Sequence, residues 1–344
     1  MIPNIALKGK MMNAGMWLKA LKVIPRIDKA EWDTLDIISR WLISTRAAVL
    51  IMTFISAALA GIFAWRDGSF HLGRGVLLTV GLVFAHATNN LINDLTDHKR
   101  GVDKDNYFRT QYGPQPLEQG LLSVRSLLVY IAVTGLIAVA AGVPLVILGG
   151  STALWLMLAG VVFVLFYTYP LKYIGLGEIA VLIIWGPLMV GGGYYVVSGT
   201  WDWNIVWASL PYALGPTAVL FGKHIDKLQA DKAKKIHTMP VILGEKAARY
   251  TVLGMIALQY LTVIALVISG FFTPVMLIVL AALTAIPKVW AMYTAPKPES
   301  CPADFDASIW PLWFSAISFF HNKRFGLFFM LGLILEVILR LYII

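Results

Sequence analysis

The sequence is short of cysteine and short of charge. A single cysteine, Cys301, occurs in 344 residues, so an intrachain disulfide is excluded and no redox compartment is implied. Charged residues make up only 14% of the chain, against 58% hydrophobic ones. A soluble domain carries about 25% charge, which it needs to cover its surface. Low-complexity stretches are missing, and no internal repeat can be defended. Residues 1–40 hold scattered Lys and Arg but no apolar run ending in a small-residue cleavage site, so no cleaved signal peptide is expected.

What fills the sequence instead is long apolar runs, with a mean hydropathy of +0.74. A helix needs about 20 apolar residues to cross the hydrocarbon of a bilayer. Nine segments qualify: 43–65, 75–93, 127–147, 152–169, 179–197, 204–222, 251–270, 273–292 and 325–343. Segment 308–320 is apolar but short, and Pro311 interrupts it; it reads as an interfacial or re-entrant piece. The fold class expected is therefore all-α, a polytopic bundle of about nine transmembrane helices. Net charge is +9, yet the basic residues lie between apolar runs, which is the membrane pattern and not a nucleic-acid surface. With nine spans, 25 of the 28 Lys and Arg fall on the side of the N-terminus, leaving Arg66, Arg74 and Arg340 opposite. The positive-inside rule makes the richer side cytoplasmic, in a cell (inner) membrane. Residues 1–40 read as a cytoplasmic amphipathic segment, lying on lipid or serving as a simple basic anchor. Residues 41–344 form the membrane domain.

Acidic residues gather in two places on that same side, each directly after an even-numbered span. The first runs from Asn89 to Thr110 and the second from Gly222 to Thr238. On a helical continuation of the second span, Asn93 and Asp97 share a face, with Asn90 one turn earlier and Asp94 about 100° round. Gly101 ends the helix and Asp103 follows. One or two carboxylates, water and substrate phosphate are what Mg²⁺ prefers. The interleaved Lys99, Arg100, Lys104 and Arg109 suit a diphosphate. The second cluster repeats the theme with Asp226, Asp231, Lys223, Lys227 and Lys235. A polar break, Tyr167-Thr-Tyr-Pro-Leu-Lys-Tyr173, adds Tyr167, Tyr169 and Lys172 on the same side. Arg46 sits at the cytoplasmic end of the first span and His86 within the second. These residues read either as a metal and diphosphate site at the mouth of an apolar cavity or as ordinary solvated loops.

The motifs resemble the UbiA superfamily of membrane prenyltransferases, in particular its MenA-like branch. NDLTDHKRGVD supplies Asn93, Asp97 and Asp103, while residues 167–196 and 231–244 are similar to that branch in the same order. The second motif departs from the family's two aspartates four apart: Asp226 and Asp231 are five apart, and Lys227 stands at the fourth position. A Gly-Pro-Gln-Pro stretch at 113–116 is also unusual and reads as a stiff turn. The resemblance implies Mg²⁺-dependent transfer of a prenyl group from a polyprenyl diphosphate to an aromatic acceptor. Its MenA-like features imply 1,4-dihydroxy-2-naphthoate and menaquinone synthesis. Asp97, Asp103, Asp226 and Asp231 would hold metal, and Asn93 a metal water or a phosphate oxygen. Arg109, Lys172 and Lys235 would add charge against the diphosphate, with Arg46 facing it or an acceptor carboxylate. Tyr167, Tyr169 and Tyr173 would either face the allylic cation or serve as residues of an interfacial aromatic belt. Membrane lipids are the other expected partners. The clustered aspartates should repel one another when the site is empty, so metal and diphosphate should order loops 98–120 and 227–238 together. The rival readings are a UbiA-type enzyme with another acceptor, a terpene cyclase on this scaffold, and a membrane transporter.

Overall fold

Backbone amides buried in hydrocarbon must bond within their own segment, so long apolar runs become helices. The computed structural model describes residues 12–104, 108, 113–307 and 309–342, and among them no strand occurs. The helices are α1 (Ala14–Lys22), α2 (Lys29–Thr34), α3 (Ile37–Ser44), α4 (Ala47–Arg66), α5 (Leu72–Lys99) and α6 (Val124–Phe166). They continue as α7 (Gly177–Ser198), α8 (Trp203–Asp226), α9 (Leu228–Ala233), α10 (Met239–Leu243), α11 (Glu245–Ile268), α12 (Pro274–Thr294) and α13 (Trp313–Tyr342).

Seven of these are long and apolar enough to cross a membrane. The 43-residue α6 accounts for two of the expected spans. Gly150 breaks it with a φ of 64°, and a methyl placed on Gly142 would lie 3.1 Å from Met157 Sδ. Fifteen residues of straight helix span about 22 Å, so this contact requires the two halves to fold back on each other. The ninth expected span is the later part of α13. Its earlier part corrects the reading of segment 308–320: from Trp313 onward that segment is the beginning of α13, not a separate re-entrant piece. Buried Phe314, Ile317, Phe325, Phe329 and Val337 form its inward stripe.

The central helix is α8. Gly222 lets it touch the start of α13; a Cβ there would meet Phe314 O at 2.6 Å. Next to it, α7 widens into π-turns over Ile184–Gly191, which contain Pro187. Proline cannot donate to the preceding turn, and the widened segment lets Trp185 O accept a bond from Ser56 Oγ at 3.2 Å. The N-terminal segment docks on the bundle. Met16, Ala20, Ile27 and Trp32 pack with Leu42, Ala47, Leu50 and Ala87. Leu18 and Leu21 remain exposed on α1, which gives that helix an outward apolar edge. Asp36 caps α3 by accepting from Ile38 N and Ser39 N, and it also accepts from Trp17 Nε1 of α1 at 3.1 Å.

Candidate active site

A cavity of about 860 Å³ runs between α4, α5, α6, α7 and α8, closed in part by Ile24 and the start of α13. Its walls are apolar along most of their length, with Leu78, Leu82, Gly142, Leu145, Leu156 and Val196. One end is polar. There the wall carries Arg46, Asn90, Asn93, Asp97, Asp103, Tyr167, Lys172, Lys223, His224 and Lys227.

The spacing on α5 produces this division. His86, Asn90, Asn93 and Asp97 recur every three or four residues and so form one stripe facing the cavity. Asn90 Nδ2 donates to Thr45 O at 2.8 Å. Thr45 closes α3, and the next residue, Arg46, adopts a left-handed φ of 55° before α4 begins. That conformation costs about 1–2 kcal/mol in a residue other than glycine. Here it brings the guanidinium to Asp94 and Asn93.

Each acidic residue of the mouth has a partner, most of them cationic. Asp94 pairs with Arg46. Lys172 Nζ lies 2.9 and 3.0 Å from the two oxygens of Asp97, and both side chains are buried. Lys227 Nζ lies 2.9 Å from Asp231, and Gln115 Nε2 donates to Asp103 at 3.2 Å. The repulsion expected between these aspartates is therefore already compensated. Gln115 also gives the Gly-Pro-Gln-Pro stretch a role beyond a stiff turn. The two clusters meet directly, because Lys234 Nζ donates to Gly101 O and Lys104 O at 3.2 and 3.0 Å.

The structure divides the expected site residues. Arg46, Asn90, Asn93, Asp97, Asp103, Tyr167, Lys172 and Lys223 come together on the cavity wall. Asp94 and Asp231 stand behind it, held by Arg46 and Lys227. Asp231 Oδ2 is buried and accepts no hydrogen bond from the described residues. Lys99 and Lys235 point to solvent. Tyr169 is 45% exposed and lies under the Arg100 guanidinium at 3.7 Å. Neighbouring Tyr173 is pushed up to about 12 by burial, with the Asp97 charge adding, so its phenol stays protonated. Arg109 lies outside the described residues. Asp226 is not brought to the others. It accepts from Phe314 N and Ser315 N at 3.0 and 2.9 Å, at the N-terminus of α13, and lies 3.6 Å from Lys297. Asp226 closes α8 whereas Asp231 lies on α9, and the backbone breaks at Lys227 between them. Among the described residues, no group of three or more His, Cys, Asp or Glu converges on one point.

The His224–Glu178 pair escaped the sequence reading, as did the partners of His86. His224 Nδ1 lies 2.5 Å from Glu178 Oε1. Thr53 Oγ1 lies 2.8 Å from His86 Nδ1 and accepts from Trp185 Nε1 at 3.3 Å. Their signal in the sequence was an ionisable residue inside an apolar run, and the partners lie 46 and 33 residues away.

The sequence profile of the UbiA prenyltransferase family matches residues 54–323. The chain belongs to the UbiA prenyltransferase family. It is 28% identical over 221 residues to the 1,4-dihydroxy-2-naphthoate octaprenyltransferase of Escherichia coli (strain K12), covering 61% of this chain and 70% of that protein. Among solved structures it resembles a UbiA homolog of Aeropyrum pernix K1, with a TM-score of 0.60 and 19% identity over 81% of this chain and 97% of that one. A UbiA homolog of Archaeoglobus fulgidus, solved with GPP and Mg²⁺, aligns with a TM-score of 0.50 and 16% identity over 82% and 99%. This UbiA-type chain is thus an integral membrane prenyltransferase of the MenA-like kind, and the transporter reading is set aside.

Proposed function

We propose that this enzyme transfers the prenyl group of a polyprenyl diphosphate to 1,4-dihydroxy-2-naphthoate, with Mg²⁺, at the cytoplasmic face of the inner membrane, as a step of menaquinone synthesis. The observation that carries the reading is one cavity that joins a charged mouth to a long apolar body, which matches a ligand with a diphosphate head and a hydrocarbon tail. The acceptor is taken from the Escherichia coli relative, and the metal and diphosphate from the Archaeoglobus fulgidus neighbour. The orientation rests on the bias of Lys and Arg towards the mouth end.

The donors present fit a magnesium ion that arrives with its substrate. Asp97 and Asp103 stand on the wall and Asp231 keeps a buried oxygen without a hydrogen bond, while Mg²⁺ asks for one or two carboxylates and completes its shell with water and phosphate. These three aspartates would hold it, and bound there it would neutralise charge on the departing diphosphate. Asp226 is left out of this set because its carboxylate holds the end of α13.

Arg46, Lys172, Lys223 and Lys227 supply positive charge to the diphosphate oxygens, and Asn93 orients one of them. Freed from Asp97 or Asp231, the two lysines would redirect their charge onto the leaving group. Tyr167 lines the same end, where its ring would stabilise the allylic cation. The apolar walls keep water from that cation.

The test is to incubate the purified protein with Mg²⁺, radiolabelled prenyl diphosphates and a panel of acceptors, and to identify the lipid product. Prenylated naphthoate is the expected result. Diphosphate release without any acceptor would favour a terpene cyclase, and a product with only another aromatic would move the acceptor assignment.

A further inference from the structure

Next to the cationic mouth lies a polar pair that diphosphate binding does not use. Glu178 stands in the first turn of α7 and His224 in the last turn of α8, 1% and 2% exposed. Their side chains meet through Nδ1 and Oε1. Both Glu178 oxygens also lie 3.3 Å from Met239 N at the start of α10, so the carboxylate is fixed from a second side.

An ionised carboxylate can only accept hydrogen bonds. The bond to Glu178 therefore places the proton of the neutral imidazole on Nδ1 and its lone pair on Nε2. His224 belongs to the cavity wall and Glu178 does not; the carboxylate stands behind the ring as seen from the cavity. Lys223 and Lys227, one residue before and three after, line the same wall, which puts the imidazole beside the end where the diphosphate would dock. A neutral imidazole, oriented by a carboxylate behind it and facing a substrate cavity, is the arrangement of a general base with its positioning partner.

We propose that His224 Nε2 takes the hydroxyl proton of an aromatic acceptor, with Glu178 as the positioning residue that fixes the ring and balances the imidazolium. The proposal rests on the transfer reaction proposed above and names the base that this reaction uses. The acceptor O–H bond breaks and its proton passes to Nε2. The electron pair left on oxygen makes a ring carbon nucleophilic, and that carbon forms a bond to C1 of the prenyl group. The C1–O bond breaks and its pair leaves with the diphosphate. The attacked carbon then loses its former substituent, either carbon dioxide or a proton that passes to the released diphosphate, and that bonding pair restores the aromatic ring. The imidazolium returns its proton to the oxygen.

The charged groups facing the imidazole are Glu178 from α7, Lys227 beside its own helix and Asp231 from α9. Lys227 and Asp231 pair with each other, so Glu178 is the charge that sets the basicity of Nε2.

The variants H224Q and E178Q test the proposal in the purified full-length protein with Mg²⁺. For H224Q, transfer to a phenolic acceptor should fall by about 100-fold or more, the usual range for a general base. Binding of a prenyl thiodiphosphate should stay near the wild-type value. Because a more acidic acceptor hydroxyl ionises without help, the ratio of wild-type to H224Q rates should shrink along a series of increasingly acidic acceptors. A merely structural histidine would lower all acceptors equally. For E178Q, loss of the nearby negative charge makes Nε2 less basic, so the acid limb of the kcat profile should move to lower pH while kcat falls. Wild-type rates in H224Q, or a ratio that does not change along the series, would overturn the base assignment alone. An unchanged pH profile in E178Q would overturn the role of Glu178, and would do so even where H224Q failed to fold. Failure of the wild-type protein to prenylate any hydroxylated aromatic would instead overturn the transfer reading, and the base with it.

Discussion

Asp226 and Asp231 lie five residues apart, yet the structure gives them different tasks, and replacing each by alanine should separate those tasks. The Asp226 side chain is wholly inaccessible. Its two oxygens receive the Phe314 and Ser315 amides at 3.0 and 2.9 Å. Losing a cap of this kind costs about 1–2 kcal/mol, and losing a negative charge at a helix N-terminus costs about 0.3–1 kcal/mol more. Lys297 would also be left without its carboxylate in a half-buried place, where its own desolvation already holds the amine below the usual lysine range. The expected total for Asp226→Ala is about 3 kcal/mol, roughly a 5 °C fall in Tm for a chain of this size. Prenyl thiodiphosphate should still bind with Mg²⁺ to within about threefold, under 1 kcal/mol. Asp231→Ala should weaken binding by about tenfold or more, 1.4 kcal/mol upward. Its Tm should fall as well, because Lys227, whose Nζ lies 2.9 Å from Asp231, loses that carboxylate, so binding is the quantity that separates the two variants. Melting curves in one fixed detergent and calorimetric titration give both quantities. An Asp226→Ala protein with normal Tm and tenfold weaker binding would refute the reasoning and return Asp226 to the ligand set.

Lys172→Met and Asp97→Asn should each lower Tm, because breaking a buried pair strands a charge at a cost of about 3–5 kcal/mol. The double variant should be more stable than either single one while remaining inactive; additive losses of Tm would contradict the pairing. Gly222→Ala should destabilise by about 1–3 kcal/mol, since its Cβ would press on the backbone of Phe314 and Ser315; a melting curve identical to wild type would contradict that contact. For Asp36, burial opposes the charged form, but bonds from Ser39, Trp17 and Asn13 outweigh it and hold the carboxyl well below the usual range. A depressed folded value means its stabilisation is complete above the ordinary carboxylate value of about 4 and is lost as pH falls through the lower folded value. Hydrogen-exchange protection of α1, corrected for intrinsic rates, should therefore drop in acid, and Asp36→Asn should remove that dependence.

Much of the fold was legible because a bilayer allows few solutions. Once apolar runs of the right length were counted, helices followed, and the basic residues ordered their ends. What the count missed was geometry within a run. The count did part 127–147 from 152–169, where Gly150 reverses the chain, but nothing within 308–320 shows that α13 begins at Trp313, where Asp226 accepts from Phe314 N across 88 residues. At the site, the α5 stripe was readable because Asn90, Asn93 and Asp97 obey one helical period. Their pairing was not, since Lys172 and Arg46 come from distant segments and a sequence shows charge without direction. Asp97 read as a wet residue at a mouth and is a buried partner of Lys172. The same limit hid Glu178 behind His224.

The reversal at Gly150 also bears on how the chain enters a membrane. The link between the two halves of α6 is no more than Gly149, Gly150, Ser151 and Thr152, uncharged and flanked by Leu148 and Ala153. It offers no hydrophilic stretch for a translocation machinery to retain on the far side between two separate insertion events. Its nearest topogenic charges are Arg125, at the start of the first half, and Lys172, after the second, both on the basic side. The two halves therefore have to insert together as a preformed helical hairpin, and the outer wall of the lipid chamber is delivered to the bilayer in one piece.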